Sequence, residues 1–173
     1  MDNPGNSRIA SKTVALVGHS AAGKSACLSY IKANPDADMD VALGTHKSPI
    51  LVTALNWLAN DSRPAIVVVS NHEEMLNAMH AAKLSGEYPK EFGRICFVYL
   101  CKPQDRLKRH LSKPTAGGSS RPSDHQEYTL KHYDRFHCLF TDLADNVIDC
   151  STASTADVAQ HVREISLQPM ESL

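Results

Sequence analysis

The residues with the clearest chemical signature form one short segment near the start of the chain. Gly18-His-Ser-Ala-Ala-Gly-Lys-Ser25 has the spacing G-x-x-x-x-G-K-S, which is that of a phosphate-binding P-loop. The two glycines allow a turn whose N–H groups surround an anion at a helix N-terminus. In such a loop the lysine contacts the β- and γ-phosphates and the serine hydroxyl binds Mg²⁺. The motif predicts that ATP and Mg²⁺ bind here, through Gly18, His19, Ser20, Ala21, Ala22, Gly23, Lys24, Ser25 and Ala26.

The variable side chains of this loop, His19 among them, are expected to face solvent. The loop also has the surroundings that it requires, because the short β-branched run Thr13–Val17 precedes it and a helical pattern follows it. A glycine-rich turn in front of an ordinary helix is the alternative without function.

Strand-like and helix-like segments alternate along the rest of the chain. Continuous apolar strands separated by helices indicate a parallel sheet covered on both faces. We therefore predict an α/β fold of three layers, with a five-stranded parallel sheet, and ligands beyond the carboxyl ends of its strands. The predicted strands are 13–17, about 38–42, 65–69, 95–101 and 146–149, and the predicted helices are about 24–33, 48–60, 71–86, 103–111, 126–143 and one after Ser154.

Boundary signals and composition divide the chain. Asn71, followed by Glu74, has the spacing of a capping box, and Gly86 would end that helix. Residues 113–124, rich in glycine, serine and proline, are predicted to form a mobile lid. We expect a single domain over residues 12–168, with a flexible tail at 1–11 and another at 169–173.

Composition limits the classes of partner. The net charge is −1, from 18 basic and 19 acidic residues, so no bulk field attracts nucleic acid or an anionic membrane. No apolar run reaches the roughly 18 residues of a membrane-spanning helix, and residues 1–11 lack the apolar core of a secretion signal. Five cysteines without a C-x-x-C pair favour buried reduced thiols in a cytoplasmic protein.

Other motifs separate the classes of P-loop protein. No guanine-reading N-K-x-D follows a late strand, which counts against a GTPase. Motor and transporter ATPases usually place an acidic residue after a strand, whereas the strand 65–69 is followed by Ser70 and Asn71. Small kinases are the remaining large class. In them the acidic group comes from elsewhere in the chain, and a flexible lid brings an arginine to the site.

The chain resembles the shikimate kinase-like branch of small P-loop kinases over nearly its whole length. Beyond the P-loop, weaker matches run in the family's order: Asp38-Met-Asp40, Leu100–Arg109, Arg121-Pro122, Tyr133–Asp145 and Val147–Asp149. The acceptor side departs from the family, because Ser70–Glu73 replaces its run of glycines and residues 48–60 contain no arginine. The resemblance implies the P-loop kinase fold with a mobile lid.

The resemblance also implies roles for individual residues. Asp38 would be the base that accepts the proton of the acceptor hydroxyl, and Asp40 would contact the acceptor and the water shell of Mg²⁺ together with Ser25. Arg109 would lie near adenine, Arg121 would meet the ATP phosphates, and Arg135 would contact an acceptor carboxylate. As the alternative, Asp38 and Asp40 belong to a solvated acidic loop, and the three arginines are ordinary surface charges or members of ion pairs.

The acceptor is a small hydroxylated molecule in this interpretation. Arg63 is the single arginine between Asn34 and Lys90, whereas a nucleotide acceptor needs an arginine cluster for its phosphate. His72 is a candidate for the acceptor pocket, with Glu73, His46 and Lys47 as weaker ones. We therefore predict an ATP:alcohol phosphotransferase, monomeric or homodimeric. The alternatives are a nucleoside or nucleotide kinase and a non-catalytic ATP-binding regulatory protein.

Overall fold

The computed structural model describes residues 13–35, 42–46, 65–86, 95–115 and 118–168. Within them, five strands form one parallel sheet in the order β2-β3-β1-β4-β5. The central strand, β1, leads directly into the P-loop. The strands are β1 Thr13–Val17, β2 Ala42–His46, β3 Ala65–Val69, β4 Ile95–Cys101 and β5 Asn146–Asp149.

Six helices belong to the same part of the chain. They are α1 Lys24–Ala33, α2 Glu73–Ser85, α3 Gln104–Leu111, α4 Ser123–Lys131, α5 Tyr133–Leu143 and α6 Thr155–Leu167. None of the helices described combines the length and the apolar character that crossing a membrane requires.

Alternate residues of the buried strands face opposite layers. Leu16 packs in a core with α1, α3 and α6, whereas Val17 packs in a second core with α2 and α5. The predicted three-layer α/β fold with a five-stranded parallel sheet is thereby confirmed. Each face buries aliphatic and aromatic side chains. Because β1 contributes residues to both cores, packing on its two faces fixes the position of the strand that leads into the P-loop.

The segment predicted as one helix over 126–143 is two helices. The first, α4, begins at Ser123 directly after Pro122, and the chain leaves helical geometry at His132, where φ is −105° and ψ is 16°. Tyr133 then starts α5 with its ring buried and its hydroxyl donating to the carbonyl of Lys102 at 2.8 Å. The break therefore coincides with the insertion of one aromatic side chain into the core beside the P-loop.

Strand β2 lies later in the chain than the sequence pattern suggested. It covers Ala42–His46, so Asp38-Met-Asp40 comes before this strand and not after it. The register pairs His46 with Val69 at the carboxyl edge of the sheet. The resemblance to the family placed this motif after the second strand, and that expectation is wrong, because β2 continues to His46. Asp38 and Asp40 themselves, with the predicted helix at 48–60 and both predicted tails, lie outside the described residues.

Caps were predicted correctly at one helix and wrongly at another. Ser154 accepts from the backbone N–H of Asp157, and the Asp157 carboxylate accepts from the backbone of Ser154, which makes a full capping box for α6. Helix α2 ends at Gly86 with a φ of 68°, as expected. Its N-cap is His72, however, and no side chain caps it.

Candidate active site

The P-loop leaves the carboxyl end of β1 and enters α1. Gly18 has a φ of 151° and Gly23 a φ of 106°, backbone conformations that favour glycine. A Cβ on Gly18 would stand 2.9 Å from the carbonyl oxygen of Leu100, so β4 approaches this position too closely for a side chain. The chain therefore folds into a glycine-bearing turn at the N-terminus of α1, as the motif predicted, while binding of phosphate there stays a prediction.

Ala21 is the non-glycine residue with positive φ in the described part of the chain. Its φ is 66°, and its carbonyl accepts from the Lys102 ammonium at 3.4 Å. Lys102 follows β4 and is 7% exposed, and this burial lowers the pKa of its ammonium. A buried lysine that sequence reasoning missed thus supports the middle of the loop.

Lys24 folds back over the loop. Its ammonium donates to the carbonyl of Gly18 and to that of His19, the latter at 2.9 Å. Burial lowers the pKa of Lys24 from 10.5 to about 7, because the charged form loses solvation. The predicted phosphate-contacting lysine is therefore held by the backbone carbonyls of its own loop.

The side chain of Asn71 hydrogen-bonds to the P-loop and does not cap α2. Its side-chain amide donates to the carbonyl of Gly18 at 2.8 Å, so the predicted Asn71–Glu74 capping box is wrong. The residue lies two positions after the end of β3, the neighbour of β1, and from there it reaches Gly18 at the start of the P-loop. A long-range hydrogen bond has replaced the local one.

A cleft of about 710 Å³ opens beside the P-loop, within the range of small-molecule sites. The described residues that line it include the cations Lys24, Lys113 and Arg121 and the imidazoles His72, His110 and His125, and none of them is Asp or Glu. The remaining ones are Ser20, Ala21, Gly23, Ser25, Ala26, Thr45, Val68, Val69, Ser70, Asn71, Pro114 and Thr115. This part of the cleft is electropositive, as a site for phosphate groups must be.

Arg121 lies on the lid side of the same cleft. Its guanidinium donates to the carbonyl of His110 at 3.2 Å and to that of Lys113 at 3.0 Å. These two carbonyls belong to the last turn of α3 and the residues after it, where the helix dipole favours a cation. The structure thus places Arg121 and Lys24 on the walls of one cavity. The predicted contact of Arg121 with the ATP phosphates stays a prediction.

Two further predicted arginines lie outside this lining. Arg109 is exposed and pairs with Asp105 one turn earlier in α3, at 3.9 Å. Arg135 pairs with Glu73 at 3.0 Å, and the Tyr128 hydroxyl donates to the same carboxylate at 3.3 Å. The predicted contacts of Arg109 with adenine and of Arg135 with an acceptor carboxylate stay predictions, and Glu73 already neutralises Arg135.

The other predicted residues divide into those that reach the cleft and those that lie outside the described part. His72 is the N-cap of α2 and lines the cleft, and its predicted contact with an acceptor stays a prediction. Asp38, Asp40 and Lys47 are not among the described residues. His46 ends β2 at the carboxyl edge of the sheet, and the placement of its side chain is not described.

The expectation that His19 faces solvent is wrong. Its ring is 2% exposed and lies stacked on Tyr133, with centroids 4.3 Å apart and an interplanar angle of 7°. Nε2 is 3.0 Å from the carbonyl oxygen of Tyr133, while Nδ1 has no hydrogen-bond partner in the described residues. Burial lowers the pKa of His19 to about 4, so the ring is neutral at pH 7. Its one proton lies on Nε2, because the partner there is a carbonyl oxygen, which can only accept. No local signal in the sequence announces this burial, because the partner lies 114 residues away.

Comparisons with known structures agree with this fold. A shikimate kinase from Acinetobacter baumannii, solved in complex with shikimate, superposes with a TM-score of 0.57 at 12% identity, covering 90% of this chain and 93% of that one. A gluconokinase from Sinorhizobium meliloti 1021 gives a TM-score of 0.50 at 18% identity, covering 88% and 90%. No family model and no curated protein sequence matches the chain. The fold is that of the small P-loop kinases, as the resemblance to the shikimate kinase-like branch implied.

Proposed function

We propose that the protein is an ATP-dependent kinase that transfers the γ-phosphoryl group to a hydroxyl of a small molecule. The observation that carries this proposal is the shared cleft of Lys24 and Arg121, with the P-loop and the N-terminus of α1 in one wall and the lid residues in another. The fold of known small-molecule kinases supports it.

The described residues fit the phosphates of ATP. Gly18 and Gly23 have positive φ and carry no Cβ, as a loop that binds an anion at the N-terminus of α1 requires. Lys24 exchanges its two backbone carbonyls for phosphate oxygens, and Arg121 supplies a second cation where negative charge spreads over the transferring group. The Ser25 hydroxyl would hold Mg²⁺, which neutralises charge on the β- and γ-phosphates.

The general base is proposed to be Asp38, with Asp40 beside the metal. A carboxylate is needed because the acceptor hydroxyl must be positioned and lose its proton. The described lining of the cleft contains no Asp or Glu, so the carboxylate must come from outside it. We expect Asp38→Asn to keep ATP affinity and to reduce turnover by orders of magnitude, and the same change at Asp40 distinguishes the two positions. Full turnover in both variants would place the base elsewhere.

A small hydroxylated acceptor fits the described wall formed by Thr45, Ser70, Asn71 and His72, which are polar and without formal charge when the imidazole is neutral. Shikimate and gluconate, after which the two similar enzymes are named, are hydroxylated carboxylic acids. We infer that the acceptor belongs to the polyols, sugars or sugar acids.

The test is a screen for acceptor-dependent ADP release with ATP and Mg²⁺, over shikimate, sugars, sugar acids and nucleosides. One class of acceptor should stimulate ADP release well above the rate with ATP alone. Lys24→Ala should abolish that activity, and Lys32→Ala, on the exposed end of the same helix, should retain it. Activity that survives Lys24→Ala, or release stimulated by nucleosides alone, would overturn the proposed site or acceptor class.

A non-catalytic ATP-binding protein is the second candidate. The absence of a carboxylate from the described lining favours it, because such a cleft holds phosphates without a base for the acceptor. It predicts calorimetric binding of ATP with Mg²⁺ and no acceptor-stimulated ADP release across the whole screen. Phosphoryl transfer to any acceptor would exclude it.

A further inference from the structure

Residues 19, 20 and 21 of the P-loop contact α5, α4 and the segment between β4 and α3, respectively. The Ser20 hydroxyl lies 2.8 Å from Nε2 of His125 on α4. The carbonyl of Ala21 accepts from Lys102, whose ammonium is also 3.0 Å from Nδ1 of His110 on α3. His19 reaches the first residue of α5, Tyr133. We call these contacts of residues 19, 20 and 21 the loop brace.

His19 makes the most extensive of these contacts. Its ring fills the space between the stacked ring of Tyr133 and the edge of Phe140, whose centroid is 5.2 Å away. Tyr133 in turn donates its hydroxyl to the carbonyl of Lys102, so the His19 and Ala21 contacts meet in one cluster. A displacement of α5 would therefore move the P-loop, and a rearranged P-loop would move α5.

The elements that the loop brace contacts also contact Arg121, which lines the cleft. Helices α4 and α5 are joined through His132, and Arg121 precedes α4 and contacts the last turn of α3. The side-chain amide of Gln126 on α4 donates to the carbonyl of Arg121 at 2.9 Å. The contacts thus connect the residue after Gly18 with the arginine of the lid by hydrogen bonds and packed rings.

We propose that His19 is a positioning residue, which ties the P-loop to α5 and through it fixes α4 and Arg121 at the nucleotide cleft. The coupling to nucleotide rests on the proposed function, whereas the tie itself is present without nucleotide. The residue acts through its buried ring and its Nε2–H donor, and it does not contact the reacting atoms through its side chain.

The imidazole combines an aromatic ring with an N–H donor in the ring, and two substitutions remove these properties one at a time. Phe at this position would keep an aromatic ring against Tyr133 and lose the donor. Gln would keep a donor of similar reach and lose the ring. His19→Phe and His19→Gln therefore separate packing from hydrogen bonding, and Ser20→Ala removes the neighbouring contact of the brace without altering the core.

Hydrogen–deuterium exchange of the full-length protein provides the test, without nucleotide and then with the analogue AMP-PNP and Mg²⁺. In the nucleotide-free state, His19→Phe and Ser20→Ala should accelerate exchange in α4, by about 5- to 10-fold for the loss of one hydrogen bond, and leave α6 unchanged. At saturating analogue, wild type should gain protection in α4, His19→Phe should gain less, and His19→Gln should recover part of the gain.

Tyr99→Phe is the matched control. Tyr99 packs in the same aromatic cluster and its hydroxyl lies 2.9 Å from Nδ1 of His137, but it makes no hydrogen bond to the P-loop. This variant should keep wild-type exchange in α4 and wild-type turnover. The proposal is overturned if α4 exchanges at the wild-type rate in His19→Phe, or if Tyr99→Phe accelerates it equally. Failure of wild type to bind the analogue would overturn the proposed function alone, because the nucleotide-free exchange still decides the brace.

Discussion

Replacing Lys24 by methionine should stabilise the nucleotide-free protein while it removes nucleotide binding. Burial moves the pKa of this lysine from 10.5 to about 7, and one pKa unit corresponds to about 1.4 kcal/mol. This shift in pKa corresponds to about 5 kcal/mol against the charged lysine in the folded state, before exposure and hydrogen bonds are considered. The side chain is partly exposed, and its hydrogen bonds to Gly18 and His19 are lost with the charge, so we expect a net gain of about 1–2 kcal/mol.

This gain has a definite thermal and pH signature. For a chain of this length it raises Tm by about 3–8 °C at pH 7. Because the folded state has the lower pKa, the unfolded chain binds more protons between pH 7 and 10.5, and the stability of wild type rises across this interval. The Tm of Lys24→Met lacks this contribution, so the difference between the two proteins should narrow as the pH rises from 7 to 9.

Differential scanning fluorimetry across that pH range, with and without ATP and Mg²⁺, measures both effects. Lys32→Met is the control, since Lys32 is exposed in the last turn of the same helix, and its Tm should stay within about 1–2 °C of wild type. ATP should raise the Tm of wild type and of Lys32→Met and leave that of Lys24→Met unchanged. A lower Tm in Lys24→Met at pH 7, or a difference from wild type that does not depend on pH, would refute the burial argument.

Three further substitutions test separate parts of the structure. Gly18→Ala places a Cβ 2.9 Å from the carbonyl oxygen of Leu100, so calorimetry should show ATP affinity lost or reduced more than tenfold, and wild-type affinity would contradict this close approach. Asn71→Ala removes the donor to the Gly18 carbonyl and should cost about 1 kcal/mol of stability and raise the KM for ATP, whereas the same change at exposed Asn77 should do neither. Ser154→Ala removes the capping box of α6 and should lower the free energy of unfolding by about 1 kcal/mol in urea titrations without changing turnover; an altered KM would show that this cap reaches the site.

The sequence predicted those features that local pattern determines. Three of the five strands, β1, β3 and β4, begin and end where the β-branched and apolar runs do, because a strand buried on both faces is a continuous apolar stretch with clear limits. The P-loop was predictable for a similar reason, since its glycines and its lysine act through backbone geometry at fixed spacing.

Features that depend on distant partners were not predictable. His19 is polar and lies in a loop, and its burial follows from Tyr133 and Phe140, which the fold brings beside it from distant parts of the chain. The Asn71 side chain had two possible partners, the backbone N–H of Glu74 in a local cap and the distant carbonyl of Gly18, and the structure shows the second. Helix periodicity continues through His132, so the break that inserts Tyr133 leaves no signature in the pattern.

The left-handed backbone of Ala21 limits how this loop can change over evolutionary time. A Cβ in that conformation costs roughly 1–2 kcal/mol, and the buried ammonium of Lys102 at its carbonyl helps to keep it there. Glycine, asparagine and aspartate tolerate such angles, whereas valine, isoleucine and threonine do not. Descendants of this sequence should therefore exchange Ala21 most readily for a residue of that small group.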